Sequence, residues 1–500
     1  MGARPMGTAV KIGVIGAGSA TFSLGLVKDL CLTESLSGSH VTFMDVDAER
    51  LQMIHKLAER YANELGADVT FDQTLDRRDA MRDADFVINT ASVVTYDSGL
   101  ETRDLIQEFG YDWDGPGSLE YSFYNTSFIL DVAREIEKIC PDAWLIQSGN
   151  PVYDGCTVIG RETDVKVCGL CHGYYGYRDI CDMLELDHTK VRWQAPGLNH
   201  NIWLTQFEYE GEDAYPLIDE WIQSKGEAYW AETAVSRPMP AGKSGWSGEL
   251  RRAWEIDLSR AAVHMYRLYG LMPLGDTVWM KYIGWWYHKD FDAKRFWFGE
   301  PWGGQRSHLS WPMYVDNQAR RVEQIARLAQ DPSASLVESL GKSRTIEQQV
   351  PIIDALVNDN EGQFQVNVPN QGALPGVPDD IAVEIPAVVN KEGIHRIQVD
   401  PLPPKIMYTQ ILPLVLSLER TLLAIETGDR SLLLWELLDA NDTRSYAQAE
   451  ETLEAILGQG YNREMDEYFR WPAEWESNGI SRTPVRDDPV LRAEGVVAAD

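Results

Sequence analysis

Cysteine is scarce in this chain, with six in 500 residues. The opening MGARPMGTAVKIGVIGAG carries no export signal, so those six read as thiols rather than a disulfide framework. Met6 stands where an N-myristoylation signal wants Ser or Thr, and a lipid anchor is not expected either. Positive charge is also short: 45 Lys and Arg against 77 Asp and Glu give a formal charge of −32. Nucleic acid and anionic lipid are therefore not expected as partners, because no run of Lys and Arg offsets the acidic surface. Long apolar runs are missing as well. The most hydrophobic helical stretch, ILPLVLSLERTLLAIE, is interrupted by Glu419 and Arg420, well short of the roughly 20 residues that span a bilayer. The expectation is a cytoplasmic protein without a membrane partner. Internal repeats and low-complexity linkers are absent, and 44% hydrophobic residues over this length can bury a large core.

What is present begins with AVKIGVIGAGSATFSLGLVKDL, an apolar run that turns through Gly16, Gly18 and Ser19 and continues with helical spacing. HVTFMDVD then reads as a second strand ending in Asp45. This is the dinucleotide-binding arrangement. Gly16 permits the turn, Gly18 lets backbone N–H groups approach a pyrophosphate, and the helix N-terminus adds its dipole. Asp45 would accept from a ribose 2′-OH and repel a 2′-phosphate, which favours NAD over NADP. A strict glycine fingerprint would also have glycine at Thr21, and here it departs. Further strand and helix patterns alternate through DFVINTA, NTSFILDVAREIEKICP and AWLIQSGNPV, predicting a Rossmann-type, doubly wound parallel sheet. Asn89 and Asn150 fall at C-terminal strand ends, where an amide can reach cofactor ribose or a substrate hydroxyl, or simply cap a loop.

The stretch CGLCHG matches C-x-x-C-H. A haem attachment is disfavoured without export, and a redox dithiol is disfavoured because VKVCGLC reads as a strand, in which the two thiols would not meet. A four-cysteine zinc site lacks its second C-x-x-C, since Cys31, Cys140, Cys156 and Cys181 have no such spacing. Cys168 reads as a small buried hydrophobe, whereas Cys171 lies at the ligand-binding edge of the sheet. In APGLNHNIWLTQF, His200 is a candidate partner for it. Thiolate plus imidazole would leave metal positions open for substrate and water, although spacing alone also allows a chance pairing.

Taken together, GAGSATF, DRRDAMRDADFVINTA, SGNPV, CHG, GLNH, PLGDT and VPNQGALPGVPDDIAVEIPA resemble family 4 of the glycoside hydrolases, the NAD- and metal-dependent glycosidases. CHG with GLNHNIWL and YGLMPLGDTVW is most similar to the branch acting on α-glucuronides and α-galacturonides. The resemblance, spread over residues 11–395, implies an α/β fold with a lactate/malate dehydrogenase-like nucleotide domain over residues 8–195. The weaker strand–helix alternation and long helical stretches after GLNHNIWL read as a mixed α/β lobe over 196–480, expected to serve catalysis and oligomerisation, and ISRTPVRDDPVLRAEGVVAAD as a tail over 481–500. The resemblance implies NAD and a divalent ion, usually manganese, held by Cys171 and His200. It also implies a redox-neutral reaction: C3 oxidation by NAD, C2 deprotonation, elimination of the C1 oxygen, water addition and re-reduction. Asp276 is the expected base, with Tyr287 in reserve, and the expected acid is His172. Asn150 and Asn199 are expected to bind substrate, and Asn367 and Asn370 match a loop near the site. Relatives associate as dimers or tetramers, so a homodimer or homotetramer is expected. A uronate needs a cation, for which Arg178, Lys281 and Arg295 are not distinguished by spacing. The rival readings are an NAD-dependent sugar or hydroxy-acid dehydrogenase and a nucleotide-sensing protein without turnover.

Overall fold

The computed structural model describes residues 7–112, 119–232, 258–280, 284–304 and 307–473; the tail expected over 481–500, and Lys281, lie outside them. The apolar runs of the first third form β1 (Lys11–Ile15), β2 (Ser39–Met44), β3 (Val69–Thr74), β4 (Phe86–Asn89), β5 (Trp144–Gln147) and β6 (Lys166–Gly169). They lie in the order β3-β2-β1-β4-β5-β6, and every neighbouring pair is parallel. Such strands are covered on both faces, which is why KIGVI and FVIN read as continuous apolar runs rather than alternating ones. The order reverses between β1 and β4, so the crevice beyond their C-terminal ends is where a sheet of this kind takes its ligand.

Later strands extend the same sheet. They are β8 (Gly197–Leu198), β9 (Asn201–Leu204), β12 (Met272–Leu274), β13 (Gly362–Pro369), β14 (Ala382–Asn390) and β15 (Gly393–Arg396), while β7 (Val191–Gln194), β10 (Gln206–Tyr209) and β11 (Glu212–Asp213) form a separate three-stranded sheet. From β6 the main sheet runs through β13, β14, β8 and β9 to β12, with β15 beside β14, making 12 strands in all. The added pairs are antiparallel. The junction with the parallel part is one register pair, Gly169 with Asn367; Asn367 pairs with Glu384, and Glu384 with Gly197. One cross-strand row therefore links the strand leading to Cys171 with the strand leading to His200. A small residue is needed at its end, because a Cβ at Gly169 would sit 2.5 Å from Cys156 Sγ and 2.9 Å from Asn367 Cβ.

The helices cap as their sequences direct: Asp47 and Asp76 accept from the first-turn amides of the helices Ala48–Leu65 and Arg77–Met81. All six cysteines are free thiols, with Cys168 fully buried in the core. No described helix is long and apolar enough to cross a membrane.

Glu120, in the first turn of helix Leu119–Ile139, is 2% exposed, and its Oε2 has no partner among the described residues. Burial pushes its carboxyl up to about 7. The folded state thus holds a proton that the unfolded chain releases. Its contribution to stability is complete at pH values below the usual carboxylate range and is lost as pH rises through about 7. Glu120→Gln should therefore melt above the parent at pH 8, by up to about 3 kcal/mol, with the difference vanishing at pH 4; thermal melts across that range check it.

Candidate active site

At the end of β1, Gly16 adopts φ +86, and a Cβ there would lie 2.6 Å from the Ala91 amide nitrogen. Only glycine allows both the turn and the close approach to the loop after β4. Gly18 is needed for a second reason: a Cβ on it would lie 2.7 Å from the Asp45 carboxylate. The Gly18 N–H donates to Asp45 Oδ2 at 2.7 Å, and the Asp47 N–H donates to Oδ1 at 2.9 Å. The Gly18 amide is thus engaged by Asp45. The bare α-carbon admits the carboxylate, which fixes Asp45 just after β2, in front of the N-terminus of helix Ala20–Cys31. Ser19 is exposed at that N-terminus and makes no side-chain cap bond.

The two asparagines at strand ends differ. Asn150 is exposed before a cis peptide to Pro151. Asn89 is fully buried: its Nδ2 donates to Gln147 Oε1 at 3.0 Å, its Oδ1 accepts from the Ala91 N–H at 3.2 Å, and its carbonyl accepts from the Ser148 and Gly149 amides. Its amide is occupied within the protein, tying the loop after β4 to the loop after β5.

Three loops converge beside this crevice. Cys171 follows β6, His200 occupies the tight turn between β8 and β9 at φ +63, and Asp276 follows β12. Gly275, at φ +55, makes the convergence possible, since a Cβ on it would collide with the Gly173 backbone at 2.4–2.8 Å. Thr277 secures the other side, accepting from the Ile202 N–H at 3.0 Å and donating to the Ile202 carbonyl at 3.2 Å. PLGDT thus places Asp276 against the His200 turn. Donor atoms of Cys171, His200 and Asp276 all lie within 4.8 Å of one another, and His200 Nε2 is 3.3 Å from Asp276 Oδ2. One ion with bonds of about 2.0–2.4 Å spans such a set, and three protein donors of mixed type leave coordination positions open. Asp276, expected as a base, thus stands among the expected metal ligands.

Burial pushes the Cys171 thiol well up, with the Glu384 and Asp276 carboxylates adding to the effect. The Gly173 backbone and the Asn199 side chain act in the opposite direction. Asn199 is 6% exposed and donates through Nδ2 to Glu384 Oε2 at 2.9 Å, so its amide is directed inward. Sequence reasoning missed Glu384, which is 1% exposed on β14 and carries a carboxyl that burial pushes up to about 7. Its signal was legible: a lone acid inside the apolar strand AVEIPAVV. Asn367 lies beside Glu384, whereas Asn370 clamps its own loop through Leu374 and Val377.

The remaining candidates are placed differently. The His172 imidazole is 65% exposed, with Nδ1 3.3 Å from Glu347 Oε1. Tyr287, the reserve base, is fully buried in an aromatic cluster with Trp286 and Trp297, its hydroxyl 2.8 Å from His264 Nδ1. Burial holds that phenol above its usual range, and both facts disfavour it as a base. Arg178 donates to the Tyr177 hydroxyl at 3.0 Å, and Arg295 pairs with Asp292 and Glu300.

A 3-2-1-4-5-6 parallel sheet with a glycine turn at its switch point, and an open S/N/O donor set close to it, define a nucleotide-binding protein equipped for metal-assisted chemistry. The chain belongs to family 4 of the glycosyl hydrolases: the family model matches residues 11–186 and the model of the family's C-terminal domain matches residues 195–440. The family depends on NAD and a divalent metal. An α-glucosidase of Erwinia rhapontici is 28% identical over 86% of this chain and 93% of its own length. An α-galacturonidase of Thermoanaerobacter italicus is 23% identical over 79% and 83%. Among solved structures, a 6-phospho-α-glucosidase from gut microorganisms in complex with NAD and Mn2+ superposes with a TM-score of 0.74 at 18% identity, covering 93% of this chain and all of its own. Lactate dehydrogenase of Eimeria maxima superposes at 0.50 with 14% identity, over 85% and 98%, in keeping with the dehydrogenase-like fold.

Proposed function

We propose that this family 4 enzyme is an NAD- and manganese-dependent glycosidase acting on α-linked uronides by the redox-neutral elimination route. The observation that carries the mechanism is the convergence of Cys171, His200 and Asp276 within 4.8 Å beside the nucleotide crevice. The donor set fits an exchangeable ion with open positions, and the Gly16 turn and Asp45 fit a dinucleotide. Cys171 and His200 would hold the ion, and Gly16, Gly18 and Asp45 would hold NAD. When bound, the two groups supply hydride acceptance at C3 and polarisation of the neighbouring oxygen.

The chain's own side chains supply the proton transfers. Asp276, 36% exposed and grouped with Cys171 and His200, takes the proton from C2. His172, 65% exposed with Glu347 at its Nδ1, gives a proton to the leaving oxygen. The exposed amide of Asn150 binds substrate hydroxyls. A homodimer or homotetramer is part of the same proposal.

The uronide reading rests on the CHG and GLNHNIWL motifs and on the α-galacturonidases among its relatives. Two observations favour neutral α-glucosides as a second reading: the α-glucosidase similarity, and the engagement of Arg178 and Arg295 with neighbouring side chains. Aryl α-glucuronide, α-galacturonide, α-glucoside and α-galactoside offered in parallel with NAD and manganese separate them: the uronides should be cleaved at least tenfold faster. Aglycone release should leave NADH absorbance near zero. NADH rising in proportion to product would favour the dehydrogenase reading instead.

A further inference from the structure

The loop from Thr90 to Thr95 joins β4 to the helix Tyr96–Gln107. It borders the crevice at the switch point, since a Cβ on Gly16 would touch Ala91. The first part of the loop is fastened to the sheet: the Thr90 hydroxyl lies 3.1 Å from both the Ile15 and the Gly16 carbonyls, and the Ala91 N–H donates to Asn89 Oδ1 at 3.2 Å. Beyond it, Ser92 and Val93 are exposed, Val93 by 46%. Their backbone is nonetheless held by a buried side chain from a different segment. Asn125, 1% exposed on the helix Leu119–Ile139, accepts through Oδ1 from the Val93 N–H at 2.8 Å. The same oxygen lies 3.2 Å from the Ser92 hydroxyl, which also reaches the Val94 carbonyl at 3.0 Å. Because Val93 offers a backbone donor, only the oxygen of the amide can face it, and the orientation of the side chain is fixed. Asn125 Nδ2 is then buried with no hydrogen-bond partner among the described residues. A buried donor left unmet is unfavourable, and a leucine would fill similar space without one. Asparagine at 125 therefore acts through its oxygen.

We propose that Asn125 is a positioning residue for NAD, its Oδ1 holding Ser92 and Val93 in the form that receives the dinucleotide. This rests on the nucleotide reading of the crevice. Alternate amides of the loop, those of Ala91 and Val93, are each held by the side-chain oxygen of a buried asparagine, Asn89 and Asn125. Asn89 belongs to β4 itself, whereas Asn125 ties the loop to the following long helix. Without Asn125 the loop keeps its attachment to β1 through Thr90 but samples other forms past Ala91. Only the competent fraction then binds cofactor at full strength, and binding has to order the rest.

The test uses the full-length protein. NAD affinity is measured by titration, the loop amides by hydrogen–deuterium exchange without NAD, and KM for NAD and kcat by aryl glycoside cleavage. Asn125→Leu should raise the NAD dissociation constant about 3- to 30-fold, the worth of one or two hydrogen bonds. KM for NAD should rise in step, while kcat at saturating NAD and manganese affinity stay within about threefold of the parent. Peptides carrying Val93 should exchange faster in this variant, and those of β1 should not. Ser92→Ala leaves the Val93 bond in place and should stay within about threefold in NAD affinity. Should Asn125→Leu fail to fold, Asn125→Ala is read in the same way. Unchanged NAD affinity, unchanged exchange at Val93, or a fall in kcat at saturating NAD as deep as the loss of affinity would overturn the proposal. Titration and exchange need no substrate, so these results stand apart from the uronide reading. A parent protein that binds no NAD would sink the nucleotide reading and this proposal together, whereas a parent and an Asn125→Leu variant that bind it equally well would remove the role of Asn125 alone.

Discussion

Cys171→Ser is expected to abolish manganese binding at micromolar ion and to lower kcat/KM by at least about 10³-fold, a loss of roughly 4 kcal/mol in transition-state stabilisation. A serine hydroxyl cannot ionise at neutral pH to replace a thiolate, and His200 with Asp276 alone leaves a two-donor set. The buried surroundings add to the effect, because the pocket that raises the Cys171 thiol would raise a hydroxyl further. Manganese titration and steady-state cleavage of an aryl glycoside check this together. Retention of activity within tenfold would remove Cys171 from the mechanism.

Asp276→Asn separates the two roles open to that carboxylate. As the base, its loss should lower kcat by about 10²- to 10⁴-fold, while manganese affinity stays within tenfold because Cys171 and His200 remain. A collapse of metal affinity as deep as in Cys171→Ser would make Asp276 a ligand rather than a base. The 3.3 Å between His200 Nε2 and Asp276 Oδ2 suits either role, so affinity and rate must be measured on the same preparation.

Much of this site was legible in the sequence because its parts are local. Gly16 and Gly18 announce a turn, Asp45 ends an apolar strand, and CHG and GLNH each end one. Convergence was not legible from spacing, since it depends on Gly275 meeting the Gly173 backbone and on Thr277 bonding β9, contacts between segments about 75 to 100 residues apart. Glu384 was missed for a related reason: its partner Asn199 comes from the turn between β8 and β9 and its partner Asn367 from β13, and only the antiparallel extension of the sheet brings them together. Tyr287 illustrates the opposite error. A tyrosine close in sequence to Asp276 reads as a reserve base until its hydroxyl is found buried against His264. Asn89 is a milder case, a strand-end amide that the fold itself consumes.

The most direct test of the elimination route is the fate of the hydrogen at C2. Cleavage of an α-glycoside substrate in heavy water, with NAD, manganese and a thiol present, should give free sugar carrying deuterium at C2 with no net NADH. Sugar released with its original C2 hydrogen would contradict the account.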